Sequence, residues 1–256
     1  MALIPKLRRR RREASMTLIE HLEELRSRLI ISMGSVAVGA VGGWFLYDPV
    51  IRLLREPYCD VVNSMPVSQR PPAGCDFIFL GAIDAFVIKL KVVAFIGLFI
   101  ALPIVLYQLW AFIVPGLTSR ERKLAIPFVA SSVILFALGA VIAYVTLPRG
   151  LEFLLGFGGQ HIQAVLGAKE FIGFIMIMIL AFGVSFEFPL LLIFLSGIGL
   201  VSSRQMRSWR RYVVVIIAIV AAVITPSQDP YTMLAMMGPM VMLYEGAILV
   251  TRLMKK

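Results

Sequence analysis

Charge is scarce in this chain. Only 16% of its 256 residues are Asp, Glu, Lys or Arg, and 59% are hydrophobic. A soluble domain carries roughly 25% charged residues. Too little polar surface remains to cover the core of a water-soluble protein of this length. Mean hydropathy is +0.89. Collagen-like, disordered and disulfide-scaffold classes are excluded by the same composition. Two cysteines and two histidines are too few for a zinc ribbon, a haem or an iron–sulfur site. No GxxxxGK or HExxH stretch occurs, so no machinery for consuming ATP and no metalloprotease centre is visible. No cofactor or metal is expected.

Long uncharged runs are what the chain does have, and they indicate an all-α polytopic membrane protein. The expected spans are about 29–47, 92–114, 124–147, 171–200, 212–225 and 231–250. The fourth run contains a single acid, Glu187. Between the last two lies Thr225-Pro226-Ser227-Gln228-Asp229-Pro230, a turn rather than a helix interior. Merging those runs would give five spans and put the two ends of the chain on opposite sides. The net charge of +10 tests this. The first 28 residues, segments 115–123 and 201–211, and the tail after Val250 together hold 18 of the 25 Lys and Arg. The positive-inside rule therefore favours six spans with both termini cytoplasmic. Basic tails at 1–15 and 252–256 flank one domain, 16–251. The excess of positive charge sets orientation and does not indicate nucleic acid.

Arg8 to Arg12 form the densest charge run. It reads as an orientation signal with weak contact to anionic lipid; the apolar run begins only at Leu29, and no small-residue cleavage site follows it. Leu18, Leu22, Leu25 and Leu29 form a stripe at helical spacing, and Thr17 with Glu20 fits a capping box. Glu20, Glu23 and Glu24 give this helix an acidic polar face. Either they pair with Arg26 and Arg28, or they dock a cationic partner.

Glu187 stands out by physics alone. A charge at mid-bilayer costs at least ~2.5–3.5 kcal/mol, so such an acid faces a cavity or a partner. Pro189 beside it is placed to bend the helix and open backbone groups. Gln108, between Tyr107 and Trp110, is a second candidate polar group within the membrane, the aromatics reading as an interfacial belt. Glu245 has Arg252 two turns away as its expected partner.

His21-Leu-Glu-Glu-Leu-Arg26 before a first span resembles the opening signature of the TatC family, the receptor subunit of the twin-arginine protein translocase. Leu102-Pro-Ile-Val-Leu-Tyr-Gln-Leu-Trp-Ala-Phe-Ile-Val-Pro-Gly116, Ser119-Arg-Glu-Arg-Lys123 and Ala181-Phe-Gly-Val-Ser-Phe-Glu-Phe-Pro189 continue the likeness. So do Arg211-Tyr212, Thr225-Pro226 with Asp229, and Leu243-Tyr-Glu245. Departures from the family pattern fall at Ala82-Ile-Asp84-Ala-Phe86 and at Met233. The resemblance implies a cupped six-helix bundle in the bacterial cytoplasmic membrane. It implies a non-enzymatic subunit that binds twin-arginine signal peptides of folded cargo. With single-span TatA-like and TatB-like partners, in an oligomeric complex, it exports that cargo using the proton-motive force. The glutamates that receive the arginine pair match Glu24 and Glu121. Arg26, Phe112, Pro189, Asp229 and Glu245 are candidates for partner contact or structural roles.

The cysteines are read from position alone. Cys59 and Cys75 fall in the loop after the first span, which the charge count places outside, where disulfides persist; a bridge is expected. Two other function classes fit the composition. A proton-coupled small-solute transporter would use Glu187 as its coupling acid, but no internal repeat appears between the chain's halves. An intramembrane enzyme would need a nucleophile–base pair, and His21 and His161 fall on opposite sides of the membrane.

Overall fold

The computed structural model describes residues 18–66, 70–71, 74–79, 81–113, 122–156, 167–225 and 229–254. The run Arg8–Arg12, Thr17 and Glu121 lie outside them. The described residues form eight helices: α1 (Leu18–Phe45), α2 (Tyr47–Ser64), α3 (Asp84–Ile113), α4 (Arg122–Gly156), α5 (Ala168–Ser185), α6 (Phe188–Gly197), α7 (Ser203–Ile224) and α8 (Pro230–Leu253). There is no strand among them, only one parallel bridge between Ile78 and Gly167. Helices are the expected solution in hydrocarbon, because each satisfies its backbone polar groups internally.

Among the described residues, five segments are long and apolar enough to cross a membrane: Ile19–Phe45, Asp84–Ile113, Ile126–Gly156, Ala168–Gly197 and Pro230–Leu253. The fifth expected span falls in α7, which is not among them. Arg204, Arg207, Arg210 and Arg211 occupy its first half, leaving thirteen apolar residues from Tyr212 to Ile224. That stretch rises about 20 Å, short of the ~30 Å hydrocarbon core. Ser202 starts α7 with a capping box: its hydroxyl accepts from the Gln205 N–H while the Gln205 side chain accepts from the Ser202 N–H.

The fourth run is two helices. α5 ends at Ser185 and α6 begins at Phe188, with Glu187 as its N-cap residue and Pro189 in its first turn. Proline has no N–H to return to the preceding turn, so the break falls three residues before Pro189 and exposes Glu187 at a joint. α4 runs through Pro148 to Gly156, well past the expected end near 147. α2 is an amphipathic helix where only a loop was expected. Leu54, Tyr58, Val61 and Val62 are its buried face, and Tyr144 of α4 donates to the Leu53 carbonyl at 2.9 Å.

α3, α4, α5 and α8 share the main core, with Val92, Leu147, Ile175, Phe182, Met236 and Tyr244 almost fully buried. α1 packs chiefly on α3, and α7 on α8; both remain exposed along much of their length through residues such as Val38, Val41, Ile219 and Val223. The α1–α3 contact depends on glycine. A Cβ added at Gly39 would lie 2.5 Å from the Gly97 carbonyl oxygen, and one at Gly97 would lie 2.6 Å from the Ala40 nitrogen. Small residues bring backbones this close where no hydrophobic force drives helices together.

Candidate functional site

Two polar clusters interrupt the apolar bundle. The first forms where α1 begins and α3 ends. His21 stacks on Phe112, with ring centroids 4.5 Å apart and planes 15° apart. One turn along α1, Glu24 accepts from Arg28 Nε at 2.9 Å and from Arg28 Nη2. The same guanidinium donates from Nη1 to Gln108 Oε1 of α3 at 3.2 Å. Arg28 thus ties Glu24 to α3 through one oxygen. The other, Oε2, is buried with no hydrogen-bond partner among the described residues. A buried carboxylate oxygen without a donor costs about 1–3 kcal/mol or more, so the cluster is incomplete as it stands.

The second cluster lies around the α5–α6 joint. Trp110 of α3 donates from Nε1 to Ser132 Oγ of α4 at 2.7 Å, and the Ser132 hydroxyl donates to Glu187 Oε2. Phe128 and Phe194 enclose the Trp110 ring, at 4.5 and 5.8 Å between centroids. Glu187 Oε1 is buried and unpartnered. Three helices therefore converge on one carboxylate, whose second oxygen has no donor among the described residues.

The structure redistributes several expected residues. Gln108 belongs with Glu24 and Arg28, not with Glu187. Trp110 is buried and hydrogen-bonded rather than part of an interfacial belt; only Tyr107 of that pair is exposed. Arg26 is exposed, and Arg28 alone of the two arginines pairs with Glu24. Glu245 pairs with Arg210 of α7 at 2.6 Å and not with Arg252. Two helical turns separate Glu245 from Arg252 by about 10.5 Å along the axis, whereas α7 brings Arg210 alongside. Asp229 is buried and caps α8: Oδ1 accepts from the Thr232 N–H at 2.7 Å and Oδ2 from its hydroxyl at 2.6 Å. Cys59 and Cys75, unbridged here, lie side by side, the Cys59 sulfur 3.9 Å from the Cys75 carbonyl oxygen. No group of three metal-ligating side chains occurs among the described residues.

Ser132 has no place in the sequence reading, where Trp110 stands as a belt aromatic and Arg28 as one of two candidate partners of the acidic face. Arg28 carried a signal, its i+4 spacing from Glu24. Ser132 carried none, being one of two adjacent serines in an apolar run.

Residues 20–239 match the family described as Sec-independent protein translocase protein (TatC). A Sec-independent protein translocase protein TatC from Frankia casuarinae is 44% identical over 93% of this chain and 66% of its own length; this chain thus spans just under two thirds of that relative. The TatC protein of Aquifex aeolicus is 36% identical over 93% of this chain and 95% of its own. A crystal structure of the twin-arginine translocase receptor TatC in DDM superposes with a TM-score of 0.71 at 35% identity, covering 91% of this chain and 99% of that one. Family match, relatives and fold agree with the succession of motifs from His21 to Glu245: this multi-pass membrane protein belongs to the TatC family.

Proposed function

We propose that the chain is the receptor subunit of a twin-arginine protein translocase in the bacterial cytoplasmic membrane. It binds twin-arginine signal peptides of folded proteins and, with single-span TatA-like and TatB-like subunits in an oligomeric complex, exports them using the proton-motive force. It acts as a binding and conducting subunit, not as an enzyme. It crosses the membrane six times, α7 included, with both termini cytoplasmic. The relatives' names, the receptor structure and the distribution of positive charge support this reading.

The observation that carries it is the state of Glu24. Arg28, itself tied to Gln108, holds that carboxylate from one side, leaving a buried oxygen with no donor among the described residues. An incoming guanidinium supplies planar paired donors that fit such an oxygen; an ammonium is a point charge and fits less well. Glu121 receives the second arginine of the pair. Glu187, with Ser132 and Trp110, forms a polar seat within the membrane for a partner helix or for passing cargo. The test is capture of the purified chain by an immobilised signal peptide bearing Arg-Arg, compared with the same peptide bearing Lys-Lys. Retention on Arg-Arg alone is expected. Equal retention on both, or on neither, refutes the reading, and a small-solute transporter would not distinguish them.

A further inference from the structure

The two cysteines belong to neither polar cluster. Cys59 lies in the last turns of α2, and Cys75 in the short strap 74–79 that returns toward α3. Independent contacts hold the strap against α2. Arg70 donates to the Asn63 and Met65 carbonyls at the end of α2, at 2.8 and 3.1 Å. Gly74 takes φ +58°, a left-handed turn that glycine adopts without strain, and its N–H donates to the Pro71 carbonyl at 2.9 Å. Directly after Cys75, Asp76 pairs with Arg55 at 3.2 Å. Phe77 then stacks on Tyr58, the residue before Cys59, at 5.8 Å, and packs on Phe171 of α5 at 5.5 Å. The Ile78 carbonyl accepts from the Ala168 N–H at 3.1 Å.

The neighbours on both sides of the cysteines are thus fixed to one another, and the thiols are brought together. The Cys59 sulfur is 3.9 Å from the Cys75 carbonyl oxygen, so the two residues stand side by side. Both residues are partly exposed, so an oxidant can reach them. With no other cysteine in the chain, no competing internal pairing exists.

We propose that Cys59 and Cys75 are joined by a disulfide in the mature protein, clamping α2 to the strap and, through Phe77 and Ile78, to the start of α5. The inference rests on the orientation proposed above, which places this end of the bundle outside the cytoplasm, where disulfides persist. The oxidant is a protein disulfide of that compartment. The Cys59 thiolate, its proton released to water, attacks one sulfur of the oxidant and expels the other as a thiolate. The deprotonated Cys75 then attacks the Cys59 sulfur, closing the bridge and releasing the oxidant as a dithiol. Burial and the adjacent Cys59 push the Cys75 thiol up to about 11, which disfavours Cys75 as the thiol that meets the oxidant first.

Maleimide labelling of the full chain, purified under alkylating conditions and denatured, tests the bridge. No labelled thiol before reduction and two after it are expected, and Cys59→Ser or Cys75→Ser should each expose one. Two labelled thiols before reduction overturn the proposal. A membrane-impermeant maleimide applied to reduced spheroplasts identifies the cause. Free thiols that it reaches show that the bridge fails where the orientation holds; free thiols that it cannot reach show that the orientation itself is wrong.

Discussion

Alanine at Gly97 would put a methyl group where α1 and α3 leave no room. Its Cβ would lie 2.6 Å from the Ala40 nitrogen, 2.7 Å from the Val36 carbonyl oxygen and 2.8 Å from Ala40 Cα. Ordinary contact begins at about 3.5 Å, so α1 must retreat by roughly 0.7–0.9 Å. All three neighbours are main-chain atoms, which no rotamer change can move. The cost should therefore fall in the upper part of the range for overpacked sites, about 1–3 kcal/mol. The functional consequence is set by what α1 carries. Arg28 reaches Gln108 at 3.2 Å, near the outer limit of a hydrogen bond; the same retreat at that level breaks it. Glu24 then loses its tie to α3 while the carboxylate itself is intact. Gly34→Ala on α1 is the control, because nothing lies within 4 Å of its Cβ. Thermal unfolding in detergent and crosslinking to an arginine-pair signal peptide are the measurements. Gly97→Ala should melt earlier and crosslink more weakly, and Gly34→Ala should do neither. A Gly97→Ala protein that melts and crosslinks like the parent would refute the close-packing argument; equal losses in both variants would refute the link to Glu24.

Other outcomes follow from the same contacts. On the proposed role of Glu24, Glu24→Ala should remove a charge-assisted contact of about 1.5–3 kcal/mol and weaken signal-peptide crosslinking tenfold or more while the protein still inserts; the double variant Glu24→Ala, Glu121→Ala should fall further, and undiminished crosslinking there contradicts the assignment. Glu187→Ala should impair export of a folded reporter more than signal binding, whereas Glu187→Gln keeps the hydroxyl contact from Ser132; equal export by both variants and the parent excludes a polar seat at that joint. Asp229→Ala removes the cap of α8, worth about 0.5–2 kcal/mol, and takes from the buried Thr232 hydroxyl its 2.6 Å carboxylate acceptor, so thermal unfolding should shift down, with Asp229→Asn shifting less. Arg210→Ala should cost under about 1 kcal/mol, less still at high salt, because both partners of the Arg210–Glu245 pair are partly exposed.

The sequence made the long apolar helices legible and concealed the amphipathic one. α3 and α8 are uncharged through most of their length, and a bilayer needs little more than that to specify a helix. α2 carries Asp48, Arg52, Arg55, Glu56 and Asp60 among its apolar residues, so its charge suggested a loop. Its signal was periodic: Val50, Ile51, Leu54, Tyr58, Val61 and Val62 recur every three or four residues, as a helix resting against other helices requires. The joint at 186–187 was half visible. Pro189 announced a disturbance, but continuous hydropathy could not show that the helix stops and restarts around an acid.

The sites were legible as residue types and not as arrangements. An acid in an apolar run or before a first span is detectable because water is the cheaper place for it. Which of its two oxygens is occupied depends on residues far away in sequence: Gln108 lies 80 positions from Arg28, and Ser132 lies 55 from Glu187. That distinction carries the functional argument. A carboxylate satisfied on both oxygens is a structural link, and its removal mainly costs stability. Glu24 and Glu187 are each held by one oxygen, which fixes the orientation of the group, and each keeps a second oxygen buried with no donor among the described residues. Orientation without satisfaction is what a receptor site needs, since the missing donor is then supplied by what binds. Asp229 shows the contrast, with both oxygens engaged by Thr232. It stands in the same kind of motif as the two glutamates, yet its geometry assigns it to the start of α8, where both oxygens are turned to Thr232.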